Sequence, residues 1–295
     1  MHVHTRRVID ASSSLTAAVA AKLEREIGRV VIGQEQAVHD VLLAVLAGGH
    51  CLFVGVAGTG KSLVAAALAD AAGIQHVLVP GGPDARAARL PAEGVVLLDE
   101  IERTPPAVRR PLLEQDAADA IVLATRNPAE TSEWPLSQAE LDRFLLSTPF
   151  DYPTAEEERA LLRRAAQRGV PADAVVDPRE LAQARAEVRE LPAASNVIEY
   201  AARLARSTRP AADGEAPAFV RELVAAGAGP RGSQALLAAA RAHALIDGDA
   251  AVSLDDIDAV APAALRHRLV LTGVARRQAL TADDVISRLL PVARA

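Results

Sequence analysis

Cysteine, aromatic residues and lysine are all scarce in this 295-residue chain. Cys51 is the only cysteine, which excludes an internal disulfide framework and is typical of a protein kept in a reducing compartment. Aromatic residues make up 2% of the sequence, so the core must consist mainly of Ala, Val, Leu and Ile. Hydrophobic residues nevertheless make up 50%, which excludes disorder as the dominant state. A chain of this length is expected to form about two domains.

The chain also lacks a positive charge excess and a long apolar run. Its net charge is −6 and its only lysines are Lys22 and Lys61, which argues against a general nucleic-acid-binding protein. The most apolar stretch, residues 41–59, is broken by glycines, whereas a membrane span needs about 20 mostly apolar residues in one element. Residues 1–20 contain no continuous apolar signal segment. We therefore expect a cytoplasmic protein that binds no nucleic acid and has no membrane span.

Apolar periodicity divides the chain into two regions near residue 151. In the first region, short apolar runs alternate with helical segments, which indicates a parallel sheet covered on both faces; the five predicted strands lie at about 51–54, 75–79, 95–98, 121–124 and 145–148. From Tyr152 onward the pattern predicts no strand, and helices are expected at about 155–168, 178–190, 195–207, 217–226, 232–246, 254–265 and 282–291. The sequence thus predicts an α/β domain at 1–151 and an all-helical domain at 152–295.

One segment matches the phosphate-binding pattern G-x-x-x-x-G-K-[ST] at every fixed position. It lies between a predicted strand and a predicted helix and consists of Gly55, Val56, Ala57, Gly58, Thr59, Gly60, Lys61 and Ser62. Glycines let backbone N–H groups face phosphate oxygens, and the following helix directs its N-terminal dipole at the same charge. The pattern predicts that Lys61 reaches the β- and γ-phosphates and that Ser62 binds Mg²⁺. The alternative is an ordinary glycine turn.

A second motif has the form of a Walker B strand: the apolar run 95–98 is followed by Asp99 and Glu100. Such a strand delivers two acids beside the phosphates. Asp99 is then expected to hold Mg²⁺ through water, and Glu100 to polarise the attacking water. The alternative is a strand followed by an acidic helix cap. The phosphate-binding loop upstream favours the first interpretation and makes ATP and Mg²⁺ the expected cofactors.

Together with Ile-Gly-Gln at 32–34, these motifs make the sequence resemble the AAA+ ATPases. Three further segments narrow the resemblance to the MoxR family: Ala-Thr-Arg-Asn-Pro at 124–128, Trp-Pro-Leu-Ser-Gln-Ala-Glu-Leu-Asp-Arg-Phe at 134–144, and Leu-Arg-His-Arg at 265–268. The resemblance covers about residues 30–290. It implies a P-loop NTPase αβα sandwich with a parallel five-stranded sheet, followed by an all-helical AAA+ lid domain.

The resemblance implies three further roles near the nucleotide. Asn127 matches sensor 1, which orients the hydrolytic water; the alternative is an Asn-Pro turn. Arg143 matches the arginine finger, which completes the ATP site of a neighbouring subunit. For Arg143 the alternative is a surface ion pair with Asp142 or Glu140. Arg231 matches sensor 2 at the start of a lid helix, and the alternative is an exposed basic residue near a helix start.

The resemblance also implies an activity and partners. A MoxR-type AAA+ ATPase couples ATP hydrolysis to chaperone-like remodelling or activation of partner proteins. It is expected to form a ring-shaped homo-oligomer, a hexamer, and to act on a protein client or a partner with a von Willebrand A domain. The alternative is a nucleotide-gated interaction module with little turnover. A DNA-handling AAA+ protein is disfavoured by the acidic charge balance.

The sequence departs from the family pattern in three places. The segment between Val79 and Val95 is shorter than the family's usual insertion, and the hairpin expected before sensor 1 is missing or reduced to 116–119. Arg126 stands before Asn127, where Gln is usual. We therefore expect intact nucleotide machinery and reduced substrate-facing machinery, which argues against threading of a polypeptide through a pore.

Overall fold

The computed structural model of the protein describes residues 14–83, 85, 94–114, 120–165, 171–211 and 216–295. The predicted sheet is present, and its strands are β1 Cys51–Gly55, β2 His76–Val79, β3 Gly94–Leu98, β4 Ala120–Arg126 and β5 Leu146–Phe150. All pairings are parallel, in the order β2-β3-β4-β1-β5. The predicted hairpin remnant at 116–119 lies outside the described residues.

Side chains alternate between the two faces of this sheet, and both faces are buried, as the continuous apolar runs predict. On β1, Cys51 and Phe53 belong to one core cluster, together with side chains of the neighbouring helices. Leu52 belongs to a second cluster on the opposite face, with Val96 and Phe144. The sheet is therefore the middle layer of an αβα sandwich.

Five helices accompany these strands: α1 Leu15–Val30, α2 Glu35–Leu46, α3 Lys61–Ala71, α4 Pro106–Glu114 and α5 Gln138–Leu141. The predicted helix from Glu35 is confirmed as α2. The helix α1 was not predicted, although Val19, Leu23 and Ile27 are fully buried along one face and Ser14 caps its first turn. Alanines between these positions weaken the periodic signal. The short helix α4 was also not predicted.

Helices dominate the second region: α6 Ala155–Ala165, α7 Pro178–Glu190, α8 Ser195–Ser207, α9 Ala218–Leu223, α10 Pro230–Ile246, α11 Leu254–Leu265, α12 Gly273–Arg277 and α13 Ala282–Arg294. Capping boxes start α11 at Ser253 and α13 at Thr281, because each hydroxyl and the Asp three residues later satisfy one another's backbone N–H groups. None of the helices in the described ranges combines the length and apolar character that a membrane crossing requires.

One predicted helix in this region is too long. Residues 217–226 are predicted as helix, but α9 ends at Leu223 and β6, Val224–Ala226, follows it. This strand pairs antiparallel with β7, Val270–Leu271, and the N–H of Thr272 donates to the carbonyl of Leu223 at 2.9 Å. The pairing partner lies more than 40 residues away, so local periodicity does not reveal it. The helical region therefore contains a small two-stranded sheet that the sequence pattern did not predict.

Helix α1 packs against the second region. Thr16 donates from its backbone N–H and its hydroxyl to the carboxylate of Glu187 on α7, at 2.9 and 2.6 Å. Lys22 forms an ion pair with Glu180 at 3.3 Å on the same helix. Helix α7 thus contacts an element that lies more than 150 residues earlier in the chain.

Candidate nucleotide-binding site

The sheet topology brings three strand ends together. Because β4 lies between β1 and β3, the carboxyl ends of all three parallel strands meet at one edge of the sheet. The register pairs Val54 with Arg126 and Leu98 with Ala124. Next to this edge is a cavity of about 330 Å³, which is lined by Ala57, Gly58, Gly60, Lys61, Ser62, Leu63, Asp99, Glu100, Thr125 and Asn127. The structure therefore brings together both sequence motifs and Asn127.

Lys61 is buried and turned back onto its own loop. Its ammonium group donates to the carbonyls of Gly55 and Val56 at 2.7 and 2.6 Å, and no carboxylate of the described residues lies within 4.0 Å of it. Burial lowers the pKa of Lys61, an effect opposed by the negative charges of Asp99 and Glu102. Gly60 directly before it has φ +91°, a left-handed conformation that glycine adopts without strain. Phosphate oxygens can replace the two carbonyls as partners of the ammonium group.

The carboxylate of Asp99 accepts hydrogen bonds from two hydroxyl groups. Ser62 Oγ donates to Asp99 Oδ1 at 3.2 Å, and Thr125 Oγ1 donates to the same oxygen. Thr125 was not singled out from the sequence, although it stands two residues before Asn127 at the end of β4. Hydroxyl and carboxylate oxygens are the protein ligands that Mg²⁺ prefers, so this group of residues fits that ion.

Glu100 adopts an uncommon backbone conformation. Its φ is +50°, a left-handed value that costs a non-glycine residue about 1–2 kcal/mol. The backbone N–H of Glu100 donates to Thr125 Oγ1 at 2.8 Å, and its carboxylate pairs with Arg103 at 2.6 Å. The loop after β2 packs on this turn, since a Cβ at Gly81 would lie 2.5 Å from the carbonyl oxygen of Glu100. The turn is thus held on two sides, and Glu100 is one of the residues that line the cavity.

Asn127 is anchored by a buried acid that the sequence patterns did not reveal. Its backbone N–H donates to Glu102 Oε1 at 2.8 Å, and Glu102 is only 3% exposed. Burial raises the pKa of Glu102, while the hydrogen bond from Asn127 opposes this effect. The amide side chain of Asn127 donates to Glu130 at 3.1 Å and accepts from the N–H of Ala129 at 3.2 Å. The last contact is the local turn predicted as the alternative, and it coexists with a side chain that lines the cavity.

The two predicted arginines do not line this cavity within the described part of the chain. The guanidinium of Arg143, 29% exposed, lies at the C-terminal end of α4, 3.4 Å from the carbonyl of Leu113 and 3.6 Å from Glu114. The predicted alternative pairs with Asp142 or Glu140 do not form. Arg231 is exposed on the first turn of α10 and has no hydrogen-bond or ion-pair partner among the described residues.

Segments 141–144 and 265–268, far apart in the sequence, lie in contact. Arg268 is 3% exposed, and its Nε donates to Asp142 Oδ1 at 2.9 Å. The neighbouring His267 has its Nε2 3.1 Å from the carbonyl oxygen of Phe144, and burial together with the charge of Arg268 holds the pKa of His267 well below its usual range. The residues around Arg143 are therefore hydrogen-bonded to the segment that follows α11.

A second buried arginine forms hydrogen bonds to loops that follow Glu100 in the chain. Arg109 is completely buried and forms an ion pair with Glu140 at 2.8 Å. It also donates to the carbonyls of Thr104 at 3.0 Å and Trp134 at 2.7 Å. Burial raises the pKa of Glu140, but hydrogen bonds from Arg109 and Ser137 outweigh it and bring the pKa to about 2. The pair joins α4, α5 and the loop at Trp134 into one unit.

A group of potential metal ligands lies away from this site, at the corner between α10 and α11. It brings a ring nitrogen of His243 close to the carboxylates of Asp247 and Asp256. His243 Nδ1 is 2.8 Å from one oxygen of Asp256, and the other oxygen of Asp256 accepts from Ser253 in the capping box. Hydrogen bonds between the end of α10 and the start of α11 therefore explain why these three side chains lie close together.

Comparison with known proteins agrees with this architecture. Residues 217–289 match the family model of the AAA lid domain. The chain is 33% identical to Chaperone MoxR1 of Mycobacterium tuberculosis, over 93% of this chain and 82% of that protein. It is 29% identical to Protein MoxR of Paracoccus denitrificans, over 87% of this chain and 91% of the relative. A crystal structure from Cytophaga hutchinsonii, of a protein assigned as an ATPase, has a TM-score of 0.82 at 24% identity, covers 96% of this chain and 97% of that one, and establishes the fold. The chain belongs to the MoxR family of AAA+ ATPases.

Proposed function

We propose that this protein binds ATP with Mg²⁺ and hydrolyses it to ADP and phosphate. The observation that carries the proposal is the convergence of Lys61, Ser62, Asp99 and Glu100 on one cavity at the carboxyl ends of β1 and β3. A positive side chain, a loop of backbone N–H groups and the N-terminus of α3 suit a triphosphate. The hydroxyl and carboxylate oxygens beside them suit a divalent cation.

Each residue has a proposed part in the reaction. Lys61 exchanges its loop carbonyls for oxygens of the β- and γ-phosphates. Ser62 and Asp99 hold Mg²⁺, which neutralises charge on the phosphates when bound. Glu100 accepts a hydrogen bond from the attacking water, and Asn127 orients that water from the end of β4.

We further propose that subunits share their ATP sites. Arg143 lies against α4 rather than at its own cavity, so its guanidinium is available to a neighbouring subunit. An arginine supplied by a neighbour accelerates hydrolysis by about 10³–10⁵ in related NTPases. The active species is then a ring-forming homo-oligomer, with a hexamer as the proposed size. Arg231, which is exposed and whose side chain has no partner among the described residues, is proposed to reach the nucleotide as sensor 2.

The proposed work of the ring is chaperone-like remodelling or activation of a protein client or a von Willebrand A domain partner. One curated relative is named a chaperone, which supports this proposal. The division at 1–151 and 152–295 is likewise a proposal; the matched lid model, residues 217–289, lies wholly within the second part. A cytoplasmic location stays a prediction.

Phosphate release measured over a range of protein concentrations tests the proposal. Specific activity should rise steeply with concentration, because subunits associate by mass action and only associated subunits have complete sites. Candidate partners are then added at a concentration where assembly is complete. Tight ATP binding with slow turnover that no partner stimulates would favour the alternative, a nucleotide-gated interaction module.

A further inference from the structure

One buried side chain from a distant part of the chain, that of Arg268, forms hydrogen bonds to residues on both sides of Arg143. Arg268 donates from Nε to Asp142 Oδ1 at 2.9 Å, and from its terminal nitrogens to the carbonyls of Phe144 at 2.7 Å and Leu145 at 3.1 Å. It therefore binds the residue before Arg143 and the two residues after it. The guanidinium is also tied to its own helix end through the carbonyl of Ala264.

The contact determines which partner Asp142 has. Asp142 is adjacent to Arg143 and carries a carboxylate that a neighbouring arginine readily binds. Arg268 occupies that carboxylate, so Arg143 is left with long contacts of 3.4 and 3.6 Å at the end of α4. A buried ion pair with additional hydrogen bonds to backbone carbonyls is rigid, whereas the partly exposed contacts of Arg143 are weak and readily exchanged.

We propose that Arg268 is the positioning residue of the arginine finger. It fixes the backbone at 142–145 and holds the Asp142 carboxylate away from Arg143, so that the Arg143 guanidinium is presented to the ATP site of the next subunit. The inference rests on the proposed sharing of sites between subunits. It adds a residue outside the nucleotide motifs, and it links the chain after α11 to the neighbour's reaction.

The variant that tests this is Arg268→Lys, which keeps the positive charge and removes the planar group that reaches several acceptors at once. Its own phosphate-binding loop is unchanged, so its affinity for ATP·Mg²⁺ in calorimetry should stay within about twofold of the wild type, while kcat falls at least about tenfold. Arg294→Lys is the matched control, because Arg294 forms its ion pairs with Asp255 and Asp258 far from segment 141–144. It should retain the wild-type kcat.

Mixed assemblies distinguish positioning of the finger from general damage. Arg268→Lys subunits are mixed with Lys61→Ala subunits, which have an intact finger, and separately with Arg143→Ala subunits, which have none. The first mixture should recover activity, because Arg268→Lys offers an intact ATP site to a sound finger. The second should show no more activity than Arg268→Lys alone, because neither variant donates a working finger. The mixture of Lys61→Ala with Arg143→Ala is the reference.

Equal behaviour of the two mixtures, or a wild-type rate for Arg268→Lys alone, would overturn the inference. If Arg268→Lys does not fold, Asp142→Asn decides the question, because it removes the ionic partner of Arg268 and should show the same asymmetry with a smaller loss. An inactive reference mixture would instead show that sites are not shared, and the finger that Arg268 is proposed to position would not exist.

Discussion

The backbone N–H of Asn127 donates to the buried carboxylate of Glu102 at 2.8 Å. This bond joins the end of β4 to the turn that follows Glu100, so the two residues proposed to hold the attacking water share one support. The second oxygen of Glu102 is buried and has no hydrogen-bond partner among the described residues. Within the described residues, the hydrogen bond from Asn127 is therefore the main contact of this carboxylate.

Replacement of Glu102 should thus affect turnover more than binding. Glu102→Ala removes the acceptor and leaves the N–H of Asn127 unsatisfied, a cost of about 1–3 kcal/mol that we expect to appear as a tenfold to hundredfold lower kcat. Glu102→Gln keeps an acceptor oxygen and should be milder. Steady-state kinetics of phosphate release, with the exposed Glu133→Ala as control, provide the measurement. A wild-type kcat for Glu102→Ala would show that the bond between Glu102 and Asn127 does not support turnover.

Lys61→Ala should abolish tight binding of ATP. The substitution removes the one lysine at the loop, and no other described lysine is near to replace it, since Lys22 pairs with Glu180 on α7. Isothermal titration with ATP·Mg²⁺ measures the effect. Lys22→Ala is the matched control and should bind as the wild type does. Unchanged affinity of Lys61→Ala would contradict the phosphate-binding assignment of residues 55–62.

Glu100→Gln should separate binding from hydrolysis. The amide is a poor acceptor for the proton of the attacking water, so the variant should bind ATP with near wild-type affinity and release phosphate at least about 100-fold more slowly. Filter retention of radiolabelled ATP and a phosphate assay report the two properties on the same sample. Glu133→Gln, at an exposed position, should match the wild type in both assays. Rapid phosphate release by Glu100→Gln would show that another residue activates the attacking water.

The Arg109–Glu140 pair should make stability depend on acid pH. Because the pKa of Glu140 is lowered from 4.5 to about 2, its contribution to the free energy of unfolding is complete above the unfolded pKa and is lost as pH falls toward 2. Urea unfolding at a series of pH values from 6 to about 2 measures this loss, which should reach about 3 kcal/mol at roughly 1.4 kcal/mol per pKa unit.

Two variants check the same pair. Glu140→Gln should flatten this part of the pH profile, whereas Glu133→Gln should leave it unchanged. Arg109→Ala leaves the buried acid with only the longer ion pair to Arg110, at 3.6 Å, and should cost about 3–5 kcal/mol at neutral pH. A Glu140→Gln profile parallel to that of the wild type would show that another acid is responsible.

Local patterns in the sequence predicted the sheet, the lid helices and the nucleotide motifs because each depends on neighbouring residues. Apolar runs mark buried strands, and the glycine-rich loop is continuous from Gly55 to Ser62. The short β6 and β7 strands cannot be predicted from such patterns, since two or three residues show no period. Helix α4 contains Pro111 and follows other prolines, which disguises it as a loop.

Long-range pairs could not be predicted in this way. Arg268 and Asp142 are 126 residues apart. Each lies in a segment that resembles the family pattern, but nothing in the two segments indicates that they are in contact. In the sequence, Arg109 and Glu140 look like ordinary exposed charges, whereas the fold buries both. Thr125 had a readable signal, because a hydroxyl near the end of a strand, two residues before Asn127, lies where the strand ends converge.

Complementation between Lys61→Ala and Arg143→Ala subunits tests the shared ATP site most directly. Each variant alone should be inactive, the first without an ATP-binding loop and the second without a finger. In a ring of randomly mixed subunits at equal amounts, about one quarter of the interfaces pair an intact loop with an intact finger, so phosphate release should recover toward about one quarter of the wild-type rate. Full activity of Arg143→Ala alone, or a mixture that assembles and stays inactive, would contradict the account.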